Sequence, residues 1–215
     1  MPSKTPRKPE RPILWIVAGP NGSGKSSLYN RTDIEGWGGS VWIINPDLLT
    51  AKIAEVEALT GAAANLVAVQ RVEHWLEASI DAYQTIGVET VLSSPKYRRL
   101  VQRARSHGFE IRMIYVVLDN ADLQLARIRG RVAEGGHDVP ADKVVARRQR
   151  SFSELAWFAQ QVDECLVFNN STGEPELIAQ KEGGALICWE RLPADMTAAL
   201  VEGGLRLVTD LTDLD

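Results

Sequence analysis

The apolar run ILWIVA at residues 13–18 leads straight into Gly19-Pro20-Asn21-Gly22-Ser23-Gly24-Lys25-Ser26, and no other stretch restricts the fold as tightly. A short, unbroken apolar run is the pattern of a strand buried on both faces. Glycines in the spacing G-x-x-x-x-G-K-S let backbone amides converge on an anion, because they take dihedrals closed to other residues and keep side chains out of the way. In such a loop Lys25 reaches the β- and γ-phosphates, the Ser26 hydroxyl is placed to ligate magnesium, and the helix that follows adds its positive end. Residues Gly19, Pro20, Asn21, Gly22, Ser23, Gly24, Lys25, Ser26 and Ser27 are therefore the expected ATP site. A buried strand in front and a helix behind separate this motif from a chance Gly-rich turn.

Further along, strands and helices alternate. A helix is expected from Lys25 to about Arg31 and a β-branched strand over Val41–Ile44, ending at Asn45-Pro46-Asp47. Helical periodicity runs from Asp47 to about Leu59 and from Ala62 to about Ile86, with Leu66, Val69, Leu76, Ile80 and Tyr83 on one face. Gly87 is read as the stop of that helix and Val88–Leu92 as the third strand. Pro95 then opens a basic helix ending near His107-Gly108. Ile111–Leu118 is a strong strand, followed by a helix carrying Arg127, Arg129 and Arg131. Gly135-Gly136 and His137-Asp138-Val139-Pro140 separate it from a helix with Arg147, Arg148 and Arg150. Cys165–Phe168 supplies a fifth strand, Leu177–Gln180 and Ala185–Trp189 a hairpin, and Pro193–Val201 a short helix.

This alternation predicts an α/β fold of the three-layer P-loop NTPase/kinase class, with a mostly parallel five-stranded sheet and a small C-terminal hairpin extension. Residues 13–172 form the expected core, with a lid at about 132–147; residues 173–215 are an elaboration packed on it; residues 1–12 read as a mobile basic tail. Ligands of such sheets gather at the carboxyl ends of the strands, which brings Gly19–Ser26, Asp47, Glu89 and Ser93 to one crevice. The chain of 215 residues is 45% apolar, the balance of a soluble globular protein. Its net charge of −4 excludes a global positive field for nucleic acid or an anionic bilayer, so any phosphate site is local. The two cysteines form no C-x-x-C pair, which argues against a disulfide staple or a zinc site. No apolar run approaches a membrane span, and the N-terminus lacks a signal segment, so a cytoplasmic protein is expected.

A phosphoryl transferase needs a base for the acceptor hydroxyl and cations for the charge on the transferred group. Asp47, just past the second strand, is the base candidate, although Asn45-Pro46-Asp47 before a helix also fits an N-cap. Glu89 is charged inside an apolar strand: if buried it must be paired, hydrated or functional, and the alternative is an edge position facing water. Arg127 and Arg131 share a helix face, and with Arg147 and Arg148 across the loop they fit a hinged lid that closes over ATP. The alternative is a solvated basic face bridged to Glu134 and Glu154. Asp119 at the end of its strand reads as a helix N-cap, and His137 as a structural loop residue. GTPase logic is not met: no N-K-x-D turn occurs, and Asp33–Gly36, the D-x-x-G, precedes the second strand.

The segments AGPNGSGKSSL, Asn45-Pro46-Asp47, Glu89-Thr90-Val91-Leu92-Ser93 and ARIRGRVAEGGHDVP followed by Arg147-Arg148 together resemble the zeta-toxin-like P-loop kinases over residues 13–172, in the form of a bacterial chromosomal branch. Zeta toxins phosphorylate UDP-N-acetylglucosamine on the 3′-hydroxyl of the amino sugar and are silenced by an antitoxin over the nucleotide site. The resemblance implies an ATP- and magnesium-dependent kinase acting on a small-molecule acceptor such as a nucleotide sugar, with an antitoxin as partner. It implies Lys25 and Ser26 for ATP and magnesium, Asp47 as base, Glu89, Thr90 and Ser93 at the acceptor, and Arg131 with Arg147 or Arg148 on the phosphates. The chain differs from the toxins in having Ser93 near the position of an arginine, Gln149 where an aromatic follows the paired arginines, and the GGHDVP form of the lid.

Overall fold

The computed structural model describes residues 11–29, 41–133 and 139–209. The N-terminal tail up to residue 10, Asp33–Gly36, Gly135-Gly136, His137 and Asp138 lie outside them, as does Glu134. Strand β1 (Ile13–Ala18) leads through the glycine loop into α1 (Lys25–Tyr29). Then come β2 (Ile43–Ile44), α2 (Pro46–Val56), α3 (Gly61–Asp81), β3 (Ile86–Thr90), a 3₁₀ turn at Pro95–Tyr97, α4 (Arg98–Ser106) and β4 (Glu110–Val117). The remaining elements are α5 (Ala121–Ala133), α6 (Ala141–Gln161), β5 (Glu164–Asn169), β6 (Glu176–Glu182), β7 (Ala185–Cys188), α7 (Ala194–Glu202) and β8 (Arg206–Val208).

Among the described residues one sheet holds eight strands in the order β2-β3-β1-β4-β5-β6-β7-β8. The first five run parallel, as the sequence predicts. The C-terminal hairpin is not a separate appendage: β6 pairs antiparallel with β5, β7 with β6, and β8 returns parallel to β7 after α7. Sequence reading stops at five core strands because β8 is only three residues long and its arginine-led pattern carries little apolar signal. β1 lies centrally, with β3 on one side and β4 on the other, so the chain leaves its carboxyl end in opposite directions and opens a crevice there.

The two faces of the sheet are unequal. Leu14 and Ile16 of β1 and Ile111, Met113 and Tyr115 of β4 pack against Val72, Leu76 and Ile80 of α3, Leu100 and Val101 of α4, Phe152 and Leu155 of α6 and Met196 and Leu200 of α7. The opposite face is a smaller cluster of Trp15, Leu28, Ile114 and Val116. Arg112 partly roofs it, its guanidinium lying 5.5 Å from the Trp15 ring centroid while pairing with Glu110 and Glu164.

Two expectations about α3 are corrected. Its buried stripe is Ala64, Ala68, Val72, Leu76 and Ile80, whereas Leu66 and Tyr83 are exposed. The alanines pack closely on α2 and carry the stripe without the bulk that drew attention to Leu66. Nor does Gly87 end the helix. Ala82 is its last cap, Tyr83 takes a left-handed φ of 54°, and the Tyr83 and Gln84 amides donate to the Ile80 and Ser79 carbonyls. That is the double bond of a Schellman terminator, usually built on glycine. Gly87 is instead inside β3, in register with Trp15 and Ile43.

A left-handed backbone costs a residue with a side chain roughly 1–2 kcal/mol, part of which glycine returns through its freer unfolded chain. Tyr83→Gly is therefore expected to stabilise the protein by about 0.5–1 kcal/mol in urea unfolding, since the ring is 62% exposed. A loss of that size would mean that its stacking on Phe109 dominates.

Candidate functional site

The glycine loop is held by what lies around it. Gly19 has φ 143°, and a Cβ there would collide with the Val116 carbonyl of β4. Gly24 has φ 90°, and a Cβ would run into the Asn170 amide. That amide donates to the Ser23 carbonyl at 2.8 Å, and Arg127 in turn donates to the Asn170 and Ser171 carbonyls at 2.7 and 3.1 Å. The turn after β5 thus buttresses the loop from below, and Arg127 is spent on this brace. Asn21 Oδ1 and Ser23 Oγ are buried without a hydrogen-bond partner among the described residues. Of the two, the Ser23 hydroxyl can donate, and a donor left so in a glycine cradle fits a loop shaped to close on an anion such as a nucleotide phosphate.

Lys25 is only 6% exposed, and its ammonium donates to the Gly19 and Pro20 carbonyls at 2.8 and 3.1 Å. Burial pushes its pKa below the ordinary 10.5, the carboxylates of Glu89 and Asp47 oppose that, and Arg131 adds to it. Lys25, Asp47, Glu89, Arg131 and Arg147 border one cleft of about 320 Å³, opened at the carboxyl ends of the parallel strands. Thr90 and Ser93 line the same cleft, so the predicted acceptor residues and base do meet the phosphate loop.

Each of the predicted groups has a definite setting. Asp47 is not the cap of α2. Asn45 is: its Oδ1 accepts from the Asp47 and Leu48 amides at 3.0 and 3.2 Å, leaving the Asp47 carboxylate exposed in the first turn, on the cleft wall. Glu89 does not sit at an edge, because β3 is flanked by β2 and β1. Its Oε2 accepts from Ser26 Oγ at 2.8 Å and from Asn45 Nδ2 at 3.0 Å. Asp119 does not cap α5 either; Asn120 does, accepting from the Leu123 amide, while Asp119 takes the Asn169 side-chain amide. Glu154 pairs with Arg98 rather than with the lid arginines.

The paired arginines separate completely. Arg147 reaches the cleft. Arg148 is 1% exposed and forms a two-pronged pair with Asp195 of α7 at 2.6 and 3.1 Å, with its guanidinium 4.7 Å from the centroid of Phe152. Successive residues on a helix point about 100° apart, so one can face the cleft only if the other turns inward.

Several groups of the site carry no motif. Leu92 is buried with φ 56°, its amide held by Thr90 Oγ1, and the Val91 carbonyl accepts from Ser151 Oγ at 2.7 Å. Ser151 also meets the buried Tyr115 hydroxyl at 2.7 Å. Helix α6 therefore pins the turn that shapes the far wall of the cleft, where Asn65, Lys96 and Tyr97 lie. The advance sign of this is Tyr115, a hydroxyl inside the apolar run of β4; Ser151, between Arg150 and Phe152, gives none. Cys165 and Cys188 are buried free thiols, pushed up by burial to about 12 and about 11. Among the described residues no helix is long and apolar enough to cross a membrane.

Two outcomes follow. Asp195→Ala strands a buried guanidinium and is expected to cost about 2–3 kcal/mol in urea unfolding, more than a surface pair would. The charged form of Lys25 is the one that would attract a triphosphate, and burial has lowered its pKa. ATP affinity is therefore expected to fall as pH rises through a value below 10.5, with proton uptake on binding in that range. A calorimetric titration at rising pH in two buffers of different ionisation heat measures both; a flat profile up to pH 10.5 would contradict the burial effect.

The AAA_33 family model, described as an AAA domain, matches residues 14–155. An uncharacterized protein of Haemophilus influenzae is 25% identical over 146 residues, covering 64% of this chain and 98% of that protein. A chain of the PezAT chromosomal toxin–antitoxin system of Streptococcus pneumoniae superposes with a TM-score of 0.62 at 14% identity, over 91% of this chain and 79% of that one. The AvrRxo1-ORF1:-ORF2 complex with ATP gives 0.64 at 19% identity, over 94% and 67%. The family match spans the stretch from β1 into α6, the same stretch that builds the loop and the cleft, so the chain belongs to the AAA_33 family of AAA domains and has an α/β P-loop kinase-like fold.

Proposed function

We propose that this protein transfers the γ-phosphoryl group of ATP to a hydroxyl of a small polar acceptor, a nucleotide sugar such as UDP-N-acetylglucosamine, with Asp47 as the base. One observation carries the reading: a single cleft is bordered both by Lys25 of the phosphate loop and by the exposed carboxylate of Asp47. A protein that used ATP only as a conformational ligand would have no use for a proton acceptor there.

In this mechanism the loop amides and Lys25 hold the β- and γ-phosphates, and Arg131 and Arg147 offset the charge that spreads over the transferred group. Arg148, locked to Asp195, takes no part in phosphate contact. Asp47 accepts the proton of the acceptor hydroxyl as its oxygen bonds to the γ-phosphorus and the bond to the β–γ bridging oxygen breaks, releasing ADP. Thr90, Ser93 and the far wall orient the acceptor. Magnesium would be held at Ser26, whose hydroxyl is the hard oxygen donor such a cation takes, and it would neutralise phosphate charge. The likeness to a chain from a toxin–antitoxin system supports a protein antitoxin as partner.

Incubating the protein with ATP, magnesium and a panel of nucleotide sugars, nucleosides, aminoglycosides and 5′-hydroxyl oligonucleotides, followed by phosphorus NMR, tests the reading and names the acceptor. Asp47→Asn is expected to lower kcat about 10²- to 10⁴-fold while ATP affinity stays within a few-fold. Equal turnover by the variant would remove Asp47 from the base role. ATP binding with no acceptor phosphorylated would favour a binding protein.

A further inference from the structure

We propose that the far wall of the cleft is an anion subsite centred on Lys96, so that the acceptor is a molecule already bearing a phosphate rather than a neutral or cationic one. The inference rests on the phosphotransferase reading above and deepens it by naming what the acceptor carries away from its reacting hydroxyl.

Lys96 lies in the 3₁₀ turn before α4 and lines the cleft. Its ammonium stands 5.1 Å from the centroid of the Tyr97 ring, and that ring is buried, so the cation rests on a fixed surface and keeps N–H donors to give. Its acidic partner is Glu73 of α3 at 3.5 Å, longer than the roughly 2.7–2.9 Å of a charge-assisted bond. Glu73 is half-exposed and does not line the cleft. A loose pair of this kind contributes little, so Lys96 can turn to a ligand at small cost.

The position of Asp47 tells which ligand. Burial pushes the Tyr97 hydroxyl up, and the carboxylates of Glu73 and Asp47 add to that; Asp47 also acts on Lys25. Asp47 therefore stands between the glycine loop and the far wall. An acceptor whose hydroxyl meets Asp47, with the γ-phosphate on the loop side, must extend its remaining atoms toward Tyr97 and Lys96. Lys25, Arg131 and Arg147 serve the nucleotide, which leaves Lys96 as the lining cation on the acceptor side. The two acids of the lining, Asp47 and Glu89, both stand at the loop end, and the groups beside Lys96 are the neutral Asn65, Ser93 and Ser94. Ser94 makes no capping bond to the turn that it opens, so its hydroxyl is left for a ligand. A wall with one cation, several neutral donors and no carboxylate suits an oxyanion. A cationic acceptor would meet Lys96 as a like charge, and a neutral one would desolvate it without a partner. The transfer is unchanged: the acceptor oxygen bonds to the γ-phosphorus, its proton goes to Asp47 and ADP leaves. The phosphate already on the acceptor stays intact as a handle.

The test has a binding arm and a turnover arm, both on the full chain. With the loop filled by magnesium and a non-hydrolysable ATP analogue, inorganic phosphate is titrated and its phosphorus line width followed. A saturable site is expected, weakened about 10- to 100-fold in Lys96→Met, which keeps the stem, and largely kept in Lys96→Arg, with analogue affinity unchanged. Glu73→Gln removes the competing carboxylate and should bind phosphate at least as well as wild type. Equal binding by wild type and Lys96→Met, or a loss in Glu73→Gln that matches it, would overturn the proposal and make Lys96 a surface bridge. In the turnover arm, matched acceptors with and without phosphate (N-acetylglucosamine, its 1-phosphate and its UDP ester; uridine and its 5′-monophosphate) are compared with an aminoglycoside. Transfer is expected in phosphorylated members alone, and which of them reacts separates a monophosphate from a diphosphate handle. Preference for a neutral or cationic acceptor would also overturn the subsite. Phosphate bound through Lys96 with no acceptor phosphorylated would instead bring down the phosphotransferase reading and leave the anion site standing.

Discussion

A lysine ammonium shut away from water organises this site. Lys25 has lost nearly all contact with solvent, and what it gains directly is two carbonyls of its own loop. Two carbonyls do not replace the hydration of a charge, which is why its pKa is pulled down and why the neighbouring carboxylates matter. Glu89 and Asp47 both stabilise the charged form from a distance; Glu89 lies on β3 and Asp47 in the first turn of α2, just past β2, and they reach the same crevice because β2, β3 and β1 are parallel neighbours. The loop, the two acids and the strand order are one electrostatic arrangement. A triphosphate entering it supplies what the protein withholds.

Helix α6 turns this arrangement into a shaped cleft. Within one and a half turns it presents Arg147 to the cleft, sends Arg148 inward to Asp195, reaches the Ser93 carbonyl with Arg150 and pins the Val91 carbonyl with Ser151. The left-handed Leu92 is stored strain, and strain persists only where surrounding contacts over-determine it. Here the contacts are the Thr90 hydroxyl on one side and the Tyr115–Ser151 pair on the other. The Arg147 side chain on the cleft and the turn that shapes its far wall are thus both set by this one helix.

Much of this was legible in the residues. The run from Ile13 into Gly19 gave the first strand to the residue, and Lys25, Asp47, Glu89, Thr90, Ser93, Arg131 and Arg147 all do border one cleft. Such groups announce themselves because a charge at the end of an apolar strand has few structural excuses. What escaped was decided by tertiary partners. Arg148 looks identical to Arg147 in sequence, and only the arrival of Asp195 from 47 residues away tells them apart. Asp119 and Asn120 are both good caps, and the choice falls to Asn120 because Asn169 engages Asp119. The stripe on α3 was misread because alanines bury little area each, so a pattern weighted by bulk follows Leu66 and Tyr83 into solvent. Gly87 drew the helix end to itself because a left-handed Tyr83 is an uncommon terminator.

The C-terminal strands bear on the site through the same logic. Pairing of β6 on β5 extends the sheet past the point where parallel crossovers end, and β7, α7 and β8 then form one further crossover unit on the helix-covered face. That unit delivers Asp195 beneath α6. Without it Arg148 would be a buried cation left with the Phe152 ring and a distant Asp119 carbonyl at 3.4 Å, and α6 would have every reason to roll and bring that charge out to water. Rolling would carry Arg147 off the cleft by the same angle. The elaboration beyond the parallel core is therefore what holds the cleft-facing arginine in place: an ion pair outside the cleft fixes the azimuth of a helix that borders it.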